Sequence, residues 1–315
     1  MKENIAHFDA VKLQNKKIVR NRLREEICID ISGMASLTRL SYPTVSTLLK
    51  ELVESGEAVE VKETVCRGGR PAAQYALNPE YRYGMVITLE RGILTYYIFN
   101  ALLKEVEKNI IETDDSSYST DELTRLIYSV QEKYASLKTV ILGIPGVASE
   151  TMPDYISSFT NMSWKKIRDT LDKEKNIRLI VENDSNAMAV AEICGRESFA
   201  HITYVKKCIG VGIVINGELV RGHNGYAGEI YWLCSNGQGA GGGIKDAIKI
   251  VTAVLDPQKI YITSDEEYDM NRLVSELEKN FPKEIIPEII AVSNEKEIYI
   301  KGLKKLLLQE LNSVV

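Results

Sequence analysis

Several features that define common protein classes are missing from this 315-residue chain. No apolar run approaches the ~18 to 20 residues of a membrane-spanning helix, and the opening MKENIAHFDAVKLQNKK lacks the apolar core of a signal peptide. The five cysteines are odd in number and scattered, and no two have C-x2-C spacing. These absences argue against a membrane protein, a disulfide framework and a cysteine zinc site. We expect a cytoplasmic protein with reduced thiols, no bound metal and no membrane partner.

The charge of the chain is unevenly distributed. Residues 1–82 hold 13 Lys+Arg and 11 Asp+Glu, which leaves 26 and 33 of the totals of 39 and 44 for the remainder. The front part is therefore slightly basic and the rest acidic. The difference is modest, but its direction fits a nucleic-acid-binding segment attached to an acidic body.

The front segment contains three helical patterns. Residues 10–25 predict a first amphipathic helix. Asp30 is placed to cap a short second helix, Ser41 can cap a third, and Gly56 is placed to end it. The apolar positions of the first helix are Val11, Leu13, Ile18, Val19 and Leu23, and those of the third are Val45, Leu48, Leu49, Leu52 and Val53.

The third helix has a polar face opposite its apolar one. Small hydroxyl side chains can approach base edges and phosphates closely, and a lysine can reach a phosphate. A short helix, a tight turn and such a helix are typical of a helix-turn-helix, although a plain helical hairpin with a solvated face is the alternative. The predicted DNA-contacting residues are Ser41, Tyr42, Thr44, Ser46, Thr47 and Lys50.

The next stretch, AVEVKETVCRGGRPAAQYALN, predicts two strands around a loop. Arg67 and Arg70, separated by glycines, would form a flat cationic tip able to enter a narrow minor groove. This favours a winged helix-turn-helix over residues 1–82, with both arginines in contact with DNA.

From residue 83 onward strands alternate with helices, which is typical of α/β layers. YGMVITLE, ILTYYIFN, TVILGIPGV and IRLIVEND predict strands, and DELTRLIYSVQEKYASL and WKKIRDTLDKEKN predict helices. Asn216 and Gly217 mark the turn of a later hairpin. We expect two α/β lobes over residues 83–315 with a boundary near residue 195 and a cleft between them, and a C-terminal helix that returns to the first lobe.

Several motifs in order resemble the ROK family of repressors and sugar kinases, and specifically its regulator branch. They include LTRLSYPTVSTLLKELVESG, GGRPAAQYALNPEYRYG, GIPGV, VENDSNAMAVAE and GVGIVINGELVRGHNGYAGEI, and the match extends over nearly the whole chain. The resemblance implies a winged helix-turn-helix before a two-lobed actin-like, hexokinase-like domain that holds a sugar in its cleft.

The chain departs from the family's kinases in three places. ITLERGILTYYIFN stands where a DxGxT-like phosphate turn is expected, and Thr263 and Ser264 replace a Gly-Gly turn against adenosine. Tyr231 and Trp232 fill the Gly-His positions of the family's zinc motif, and the run GQGAGGGIKD is interpreted as a flexible bridge over a deletion. We therefore expect no catalytic residue, no cofactor and no enzyme activity.

In the family's kinases the aspartate of the END-x-N motif serves as general base toward a sugar hydroxyl. By resemblance, Asn183, Asp184 and Glu229 would bind sugar hydroxyls in this chain. The alternative is structural: Asp184 would cap the following helix and Asn183 would satisfy backbone groups in the turn. Both interpretations remain open at this point. His201 and His223 are expected in ordinary surface or turn positions.

The combined prediction is a transcriptional regulator, and specifically a repressor of carbohydrate metabolism. It would bind double-stranded operator DNA as a homodimer and sense a sugar or sugar phosphate. Two alternatives remain: an active ATP-dependent sugar kinase fused to a DNA-binding domain, and a regulator whose second domain only dimerises.

Overall fold

The computed structural model describes residues 2–61, 72–90, 92–112, 119–146, 162–205, 207–234 and 239–313, without the side chains of residues 2–9, 232, 239–242 and 313. Its helices are α1 (Lys2–Glu25), α2 (Ile31–Thr38), α3 (Tyr42–Glu54), α4 (Thr120–Lys133), α5 (Trp164–Lys175), α6 (Asp184–Glu192), α7 (Tyr231–Cys234), α8 (Gly239–Leu255), α9 (Met270–Glu278) and α10 (Glu295–Ser313). Its strands are β1 (Ile29–Asp30), β2 (Ala58–Val61), β3 (Gln74–Leu77), β4 (Tyr83–Glu90), β5 (Ile93–Phe99), β6 (Glu105–Glu112), β7 (Leu137–Ile144), β8 (Arg178–Asn183), β9 (Phe199–Val205), β10 (Cys208–Ile215), β11 (Glu218–Val220), β12 (Lys259–Ser264) and β13 (Glu288–Ala291).

The N-terminal part packs α1, α2 and α3 against a three-stranded sheet of order β1-β3-β2. The predicted caps are confirmed: Asp30 accepts from Gly33 N at 2.7 Å, and Ser41 Oγ accepts from Thr44 N at 3.3 Å. Gly56 has a φ of +77°, which suits glycine just after the last turn of α3. The antiparallel pairing of β2 with β3 confirms the two predicted strands.

The first helix differs from its prediction. It begins at Lys2, well before residue 10, and Val11 and Leu13 are exposed by 43% and 38%. Val19 and Leu23 are fully buried with the apolar face of α3. The C-terminal half of α1 therefore packs into this core, whereas Val11 and Leu13, two of the predicted apolar positions, are exposed.

Two five-stranded sheets follow. The first has the order β6-β5-β4-β7-β8 and the second β11-β10-β9-β12-β13. In the first sheet, β4, β5 and β6 pair antiparallel, and β7 and β8 join them in parallel. In the second sheet, β9, β10 and β11 pair antiparallel, and β12 and β13 join them in parallel. The two units thus repeat one topology, which agrees with the expected pair of lobes.

The last helix of each unit packs on the sheet of the other unit. Helix α6 follows β8 but contacts β9 and β10, whereas α10 follows β13 but contacts β4 and β7. The two helices also pack on each other. They therefore form the connection between the two lobes, and α10 lies on the first sheet.

Close approach at this connection depends on three glycines. A Cβ on Gly302 would lie 1.7 Å from Ala187 O, and one on Gly212 would lie 2.4 Å from Ser185 O. A Cβ on Gly210 would lie 2.4 Å from Ser185 Oγ. Backbone atoms cannot yield as side chains do, so glycine is required at positions 212 and 302, where the nearest atom is a backbone oxygen.

Two further interpretations were wrong. Residues 239–246 of the glycine-rich run belong to α8 and are not a flexible bridge. His201 is fully buried in β9, where Nε2 lies 2.9 Å from Thr263 Oγ1 and burial lowers the pKa of the imidazole to about 3. The hairpin turn is confirmed, since Asn216 and Gly217 both have positive φ, as a two-residue type I′ turn requires. None of the helices in the described ranges combines the length and apolarity needed to cross a bilayer.

Candidate functional site

The candidate ligand site lies where the carboxyl ends of β4, β7 and β8 meet the first turn of α6. Thr88 pairs with Gly143, and Ile144 pairs with Asn183, so these strands end side by side. Asn183 caps α6: its Oδ1 accepts from Asn186 N at 2.9 Å, and its Nδ2 donates to Gly146 O at 3.0 Å. The oxygen of the Asn183 amide thus bonds to the first turn of α6 and its nitrogen bonds to the chain just after β7, which holds these two segments together.

Asp184 is the first residue of α6, and it is not the cap. The structural interpretation had placed the cap at Asp184, one residue too late. Asp184 Oδ1 accepts from Ser185 N at 2.7 Å and lies 3.3 Å from Ser185 Oγ. A carboxylate in the first turn of a helix is stabilised by the partial positive charge of the helix N-terminus. Asp184 is half-buried, so part of it faces out of the fold.

Glu229 lies close to Asp184 although 45 positions separate them in the sequence. Burial, together with the negative charge of Asp184, raises the pKa of the Glu229 carboxyl to about 6. The fold therefore brings two predicted sugar-binding carboxyl groups together beside Asn183. Whether they contact a ligand stays a prediction.

Three residues that were not predicted support this site. Glu182 is 1% exposed, and its Oε2 accepts from Arg221 Nη2 at 2.6 Å and Nε at 3.1 Å. Its Oε1 accepts from Asn186 Nδ2 at 3.0 Å. These bonds join the end of β8 to the segment after β11 and so link the two lobes. A charged residue inside the apolar run RLIVEN was the available sequence signal.

Tyr299 of α10 is a further residue at this edge that the sequence did not reveal. Its hydroxyl is buried above Gly143 and has no hydrogen-bond partner among the described residues. Burial, and then the charges of Asp184, Glu90, Glu182 and Glu295, raise the pKa of the phenol well above its usual value.

The positions that depart from the family's kinases have local roles in this fold. Thr263 Oγ1 is bonded to His201, and Ser264 Oγ closes a turn through Glu266 N and O at 3.1 and 2.8 Å. Glu90 ends β4, and Gly92, with a φ of +74°, begins the return to β5. In the described part of the chain, His, Cys, Asp and Glu side chains do not gather in threes that could bind a metal ion.

The candidate DNA-contacting face lies on α3. Its apolar residues are buried, whereas Tyr42, Thr47 and Lys50 are exposed and Ser46 is half-buried. Ser41 and Thr44 have a structural role as well, because their hydroxyl oxygens lie 2.8 Å apart in the cap of α3. Arg67 and Arg70 lie outside the described residues.

Two neighbouring features of this face were not predicted. Arg39 ends α2 with a φ of 57° and is exposed in the turn before α3. A cavity of about 400 Å³ separates α1 from the start of α3 and is lined by Val11, Lys12, Asn15, Pro43, Thr44, Thr47 and Leu48. Val11, Lys12 and Asn15 of α1 therefore border the candidate DNA-contacting face.

The sequence model of the ROK family matches residues 97–243, which include β5 to the start of α8 and the cluster around Asp184 and Glu229. This part of the chain is therefore similar to the ROK family domain. The match does not include β4, or the strands and helices after residue 243 that belong to the same two sheets or pack on them.

Curated relatives of the chain are transcriptional regulators by name. A xylose repressor from Caldicellulosiruptor bescii is 25% identical over 240 residues, which cover 70% of this chain and 58% of that protein. The DNA-binding transcriptional dual regulator NagC from Escherichia coli is 23% identical over 241 residues, which cover 72% of this chain and 58% of that protein. The chain thus spans less than two thirds of the length of these relatives.

Solved structures support the fold at low sequence identity. A ROK family transcriptional regulator described as a homologue of the E. coli MLC protein has a TM-score of 0.65 and 16% identity, covering 96% of this chain and 100% of that chain. A ROK family protein from Streptococcus pneumoniae in complex with sucrose has a TM-score of 0.56 and 15% identity, covering 72% of this chain and 98% of that chain. The first of these likenesses includes the N-terminal helices as well as the ROK domain.

Proposed function

We propose that this protein is a sugar-responsive, DNA-binding repressor of carbohydrate metabolism. The observation that supports this best is the proximity of Asp184 and Glu229 in the ROK domain of a chain that also has a helix-turn-helix with an exposed polar face. The relatives named as a xylose repressor and as NagC agree with this assignment. They are named for different functions, so the sugar must be found by experiment.

The chemistry of the site suits a polyhydroxyl ligand. Each sugar hydroxyl can donate a hydrogen bond, and carboxylate oxygens accept such bonds strongly. Asp184 and Glu229 would act as acceptors, while Asn183 would position them by holding the start of α6 and offer its remaining amide hydrogen. The Glu182–Arg221 ion pair would keep the second lobe in register with these acceptors.

The DNA-contacting residues would be Ser41, Tyr42, Thr44, Ser46, Thr47, Lys50, Arg67 and Arg70. The hydroxyl groups on α3 would contact base edges and phosphates in the major groove, and the two arginines would enter the minor groove. A homodimer on a palindromic operator would place two such helices one DNA turn apart. Sugar can alter this binding only if it prefers one arrangement of the protein, because equal affinity for both arrangements shifts nothing.

The enzyme alternative is an ATP-dependent sugar kinase. It requires a phosphate-binding turn and positioned metal, and the β4–β5 hairpin offers Glu90 and Gly92 without the family's full pattern. We therefore propose binding without phosphoryl transfer. Turnover in a coupled ATP assay with the sugar panel described below would overturn this part of the proposal.

The proposal is tested by thermal unfolding and calorimetric titration with hexoses, pentoses, amino sugars and their phosphates. A specific sugar at 100 times its dissociation constant should add about 2.7 kcal/mol of stability. We expect Asp184→Asn to abolish this stabilisation and Lys166→Ala, on the distant helix α5, to preserve it. Lack of stabilisation by every sugar would contradict the sensor and favour a second domain that only mediates assembly.

A further inference from the structure

Helix α10 spans the full height of the first sheet. Near its start, a Cβ on Gly143 would lie 2.1 Å from Tyr299 Oη, and Gly143 is close to the carboxyl end of β7. Further along, a Cβ on Gly84 would lie 2.4 Å from Leu307 Cδ1, and Gly84 is near the beginning of β4. The helix therefore runs along the strands of the first sheet, from their ends near the candidate ligand site to the opposite ends.

The far end of α10 is bonded to the first helix of the DNA-binding part. Asn312 Oδ1 accepts from Arg24 Nη1 at 2.9 Å, and Asn312 Nδ2 donates to Asn21 Oδ1 at 2.9 Å. Arg24 Nε also donates to Ala101 O, in the turn after β5, at 2.8 Å. Desolvation lowers the pKa of the Arg24 guanidinium to about 10, so this cation depends on the oxygen atoms around it. We call these four residues the α1–α10 joint.

The joint leads directly to the DNA-contacting helix. Val19 and Leu23 of α1 pack in one core with Leu48 and Leu52 of α3. Ala101 of the joint belongs to the same core. A shift of α10 at Asn312 would therefore move α1, and with it the core against which α3 packs.

The near end of α10 contains a hydroxyl group whose hydrogen-bonding capacity is unused in the described part of the chain. A buried donor without a partner is unfavourable, so an arrangement that supplies a partner to Tyr299 Oη is favoured over this one. Asp184, Glu90 and Glu182 are the charged groups of the neighbouring elements that act on it, with Glu295 of its own helix. Asp184 begins α6, and α6 packs on α10 so closely that a Cβ on Gly302 would lie 1.7 Å from Ala187 O, so a rearrangement around Asp184 reaches α10 through this contact.

We propose that α10 transmits ligand occupancy at Asp184 to the DNA-binding helices, with Tyr299 and Asn312 as the positioning residues at its two ends. The inference rests on the proposed function and specifies how that site is regulated. The two residues are 13 positions apart, or roughly 20 Å along a helix. A packed helix held at both ends moves as one body, because its core contacts allow discrete rather than gradual adjustment.

Hydrogen–deuterium exchange of the whole 315-residue chain tests this without knowledge of sugar or operator. Four proteins are compared: wild type, Gly143→Ala, Asn312→Ala and the double variant. The added methyl group collides with Tyr299 Oη and should displace the start of α10. We expect exchange in residues 16–25 to become about tenfold faster in Gly143→Ala, the change that loss of one charge-assisted hydrogen bond gives.

In the Asn312→Ala background the joint is already broken, so Gly143→Ala should change exchange in residues 16–25 by less than twofold. Equal changes in both backgrounds, or no change in either, overturn the proposal. Exchange in α9 should stay constant, which separates transmission from general destabilisation. If Gly143→Ala does not fold, Tyr299→Phe replaces it and is expected to slow exchange in residues 16–25 only while Asn312 is present.

A second measurement keeps this inference distinct from the proposed function. A sugar that stabilises the wild type should alter exchange in residues 16–25 of the wild type and not of Asn312→Ala. A sugar that binds and leaves residues 16–25 unchanged overturns the role of α10 alone. Failure of all sugars to bind contradicts the sensor, while the four-protein comparison still decides whether the helix transmits.

Discussion

The carboxyl group of Glu229 has a pH dependence that can be measured. Its pKa is raised from 4.5 to about 6 by burial and by the charge of Asp184, so the folded protein retains a proton that the unfolded chain has lost between these pH values. Its contribution to stability is therefore fully present below pH 4.5 and is lost as pH rises through about 6. Screening by solvent reduces the change to about 1 kcal/mol.

We expect the wild type to lose this stability relative to Glu229→Gln between pH 4.5 and 6.5, as measured by urea unfolding of both proteins. Sugar binding should change in the opposite direction and weaken as pH falls below about 6, because a protonated carboxyl accepts hydrogen bonds poorly. Parallel stability curves for the two proteins across this range would show that Glu229 is not perturbed as inferred.

Asn183 and Asp184 are neighbours with separable roles. Asn183→Ala removes the cap of α6 and the bond to Gly146 O, and should lower the free energy of unfolding by about 1 to 2 kcal/mol. Asp184→Asn keeps an acceptor for Ser185 N and removes repulsion with Glu229, so its stability should equal or exceed that of the wild type. A larger loss in Asp184→Asn than in Asn183→Ala would assign the structural role to Asp184.

Single residues were predictable from the sequence where their partner is local. Asp30 and Ser41 cap helices through amides three positions away, and the residue type just before an apolar helical pattern identifies such sites. The cap of α6 was misplaced by one residue because Asn183 and Asp184 are both good caps. Arg221 and Glu182 are 39 positions apart, and Tyr299 meets Gly143 only through the returning C-terminal helix, so local patterns could not reveal either contact.

At the scale of elements, α1 is fixed to the base of β2 by a buried ion pair. Arg20 and Glu57 are 3% and 5% exposed, and Arg20 Nη2 donates to Glu57 Oε2 at 2.9 Å. Removing one partner leaves the other charge buried and uncompensated. We expect Arg20→Ala to lower the free energy of unfolding by about 3 to 5 kcal/mol in urea denaturation.

The matched control for this pair is Lys12→Ala, which breaks the bridge from Lys12 Nζ to Glu51 at 2.6 Å between the same helix and α3. Its partners are 46% and 30% exposed, so the cost should stay below about 1 kcal/mol. Similar losses for the two variants would mean that α1 is not anchored through Arg20.

Elements were predicted well where one face is buried and poorly elsewhere. The strands β4 and β7 were found because they are apolar runs in the middle of a sheet, and the edge strand β8 was found because it too is largely apolar and mostly buried. Strand β6 was missed because it lies at the sheet edge and its sequence EVEKNIIE is largely exposed, which removes the alternating pattern. Helix α8 begins with glycines that oppose helix formation, so tertiary packing against β9 and β10 determines its start.

At the scale of the whole molecule, the alternation of strands and helices predicted two lobes but could not give their strand order. The strand order arises from pairings between segments about 60 residues apart, such as β9 with β12, and α10 contacts α6, β4 and β7 from more than 100 residues away. The glycines at positions 210, 212 and 302 permit this crossing, and each looks like an ordinary turn or helix glycine in the sequence. The lobes are therefore joined by two helices that each belong to both.

The whole molecule has a net charge of −5, so the proposed DNA binding requires a local concentration of cations on the N-terminal part. Lys50 is the exposed cation on the outer face of α3. Each phosphate contact contributes about 0.9 to the slope of log affinity against log salt on duplex DNA. With a random-sequence duplex, Lys50→Ala should reduce that slope by about 0.9 in fluorescence anisotropy titrations over several salt concentrations. Lys166→Ala, an exposed lysine on α5, should leave the slope unchanged, and an unchanged slope for Lys50→Ala would place the DNA-contacting face elsewhere on the molecule.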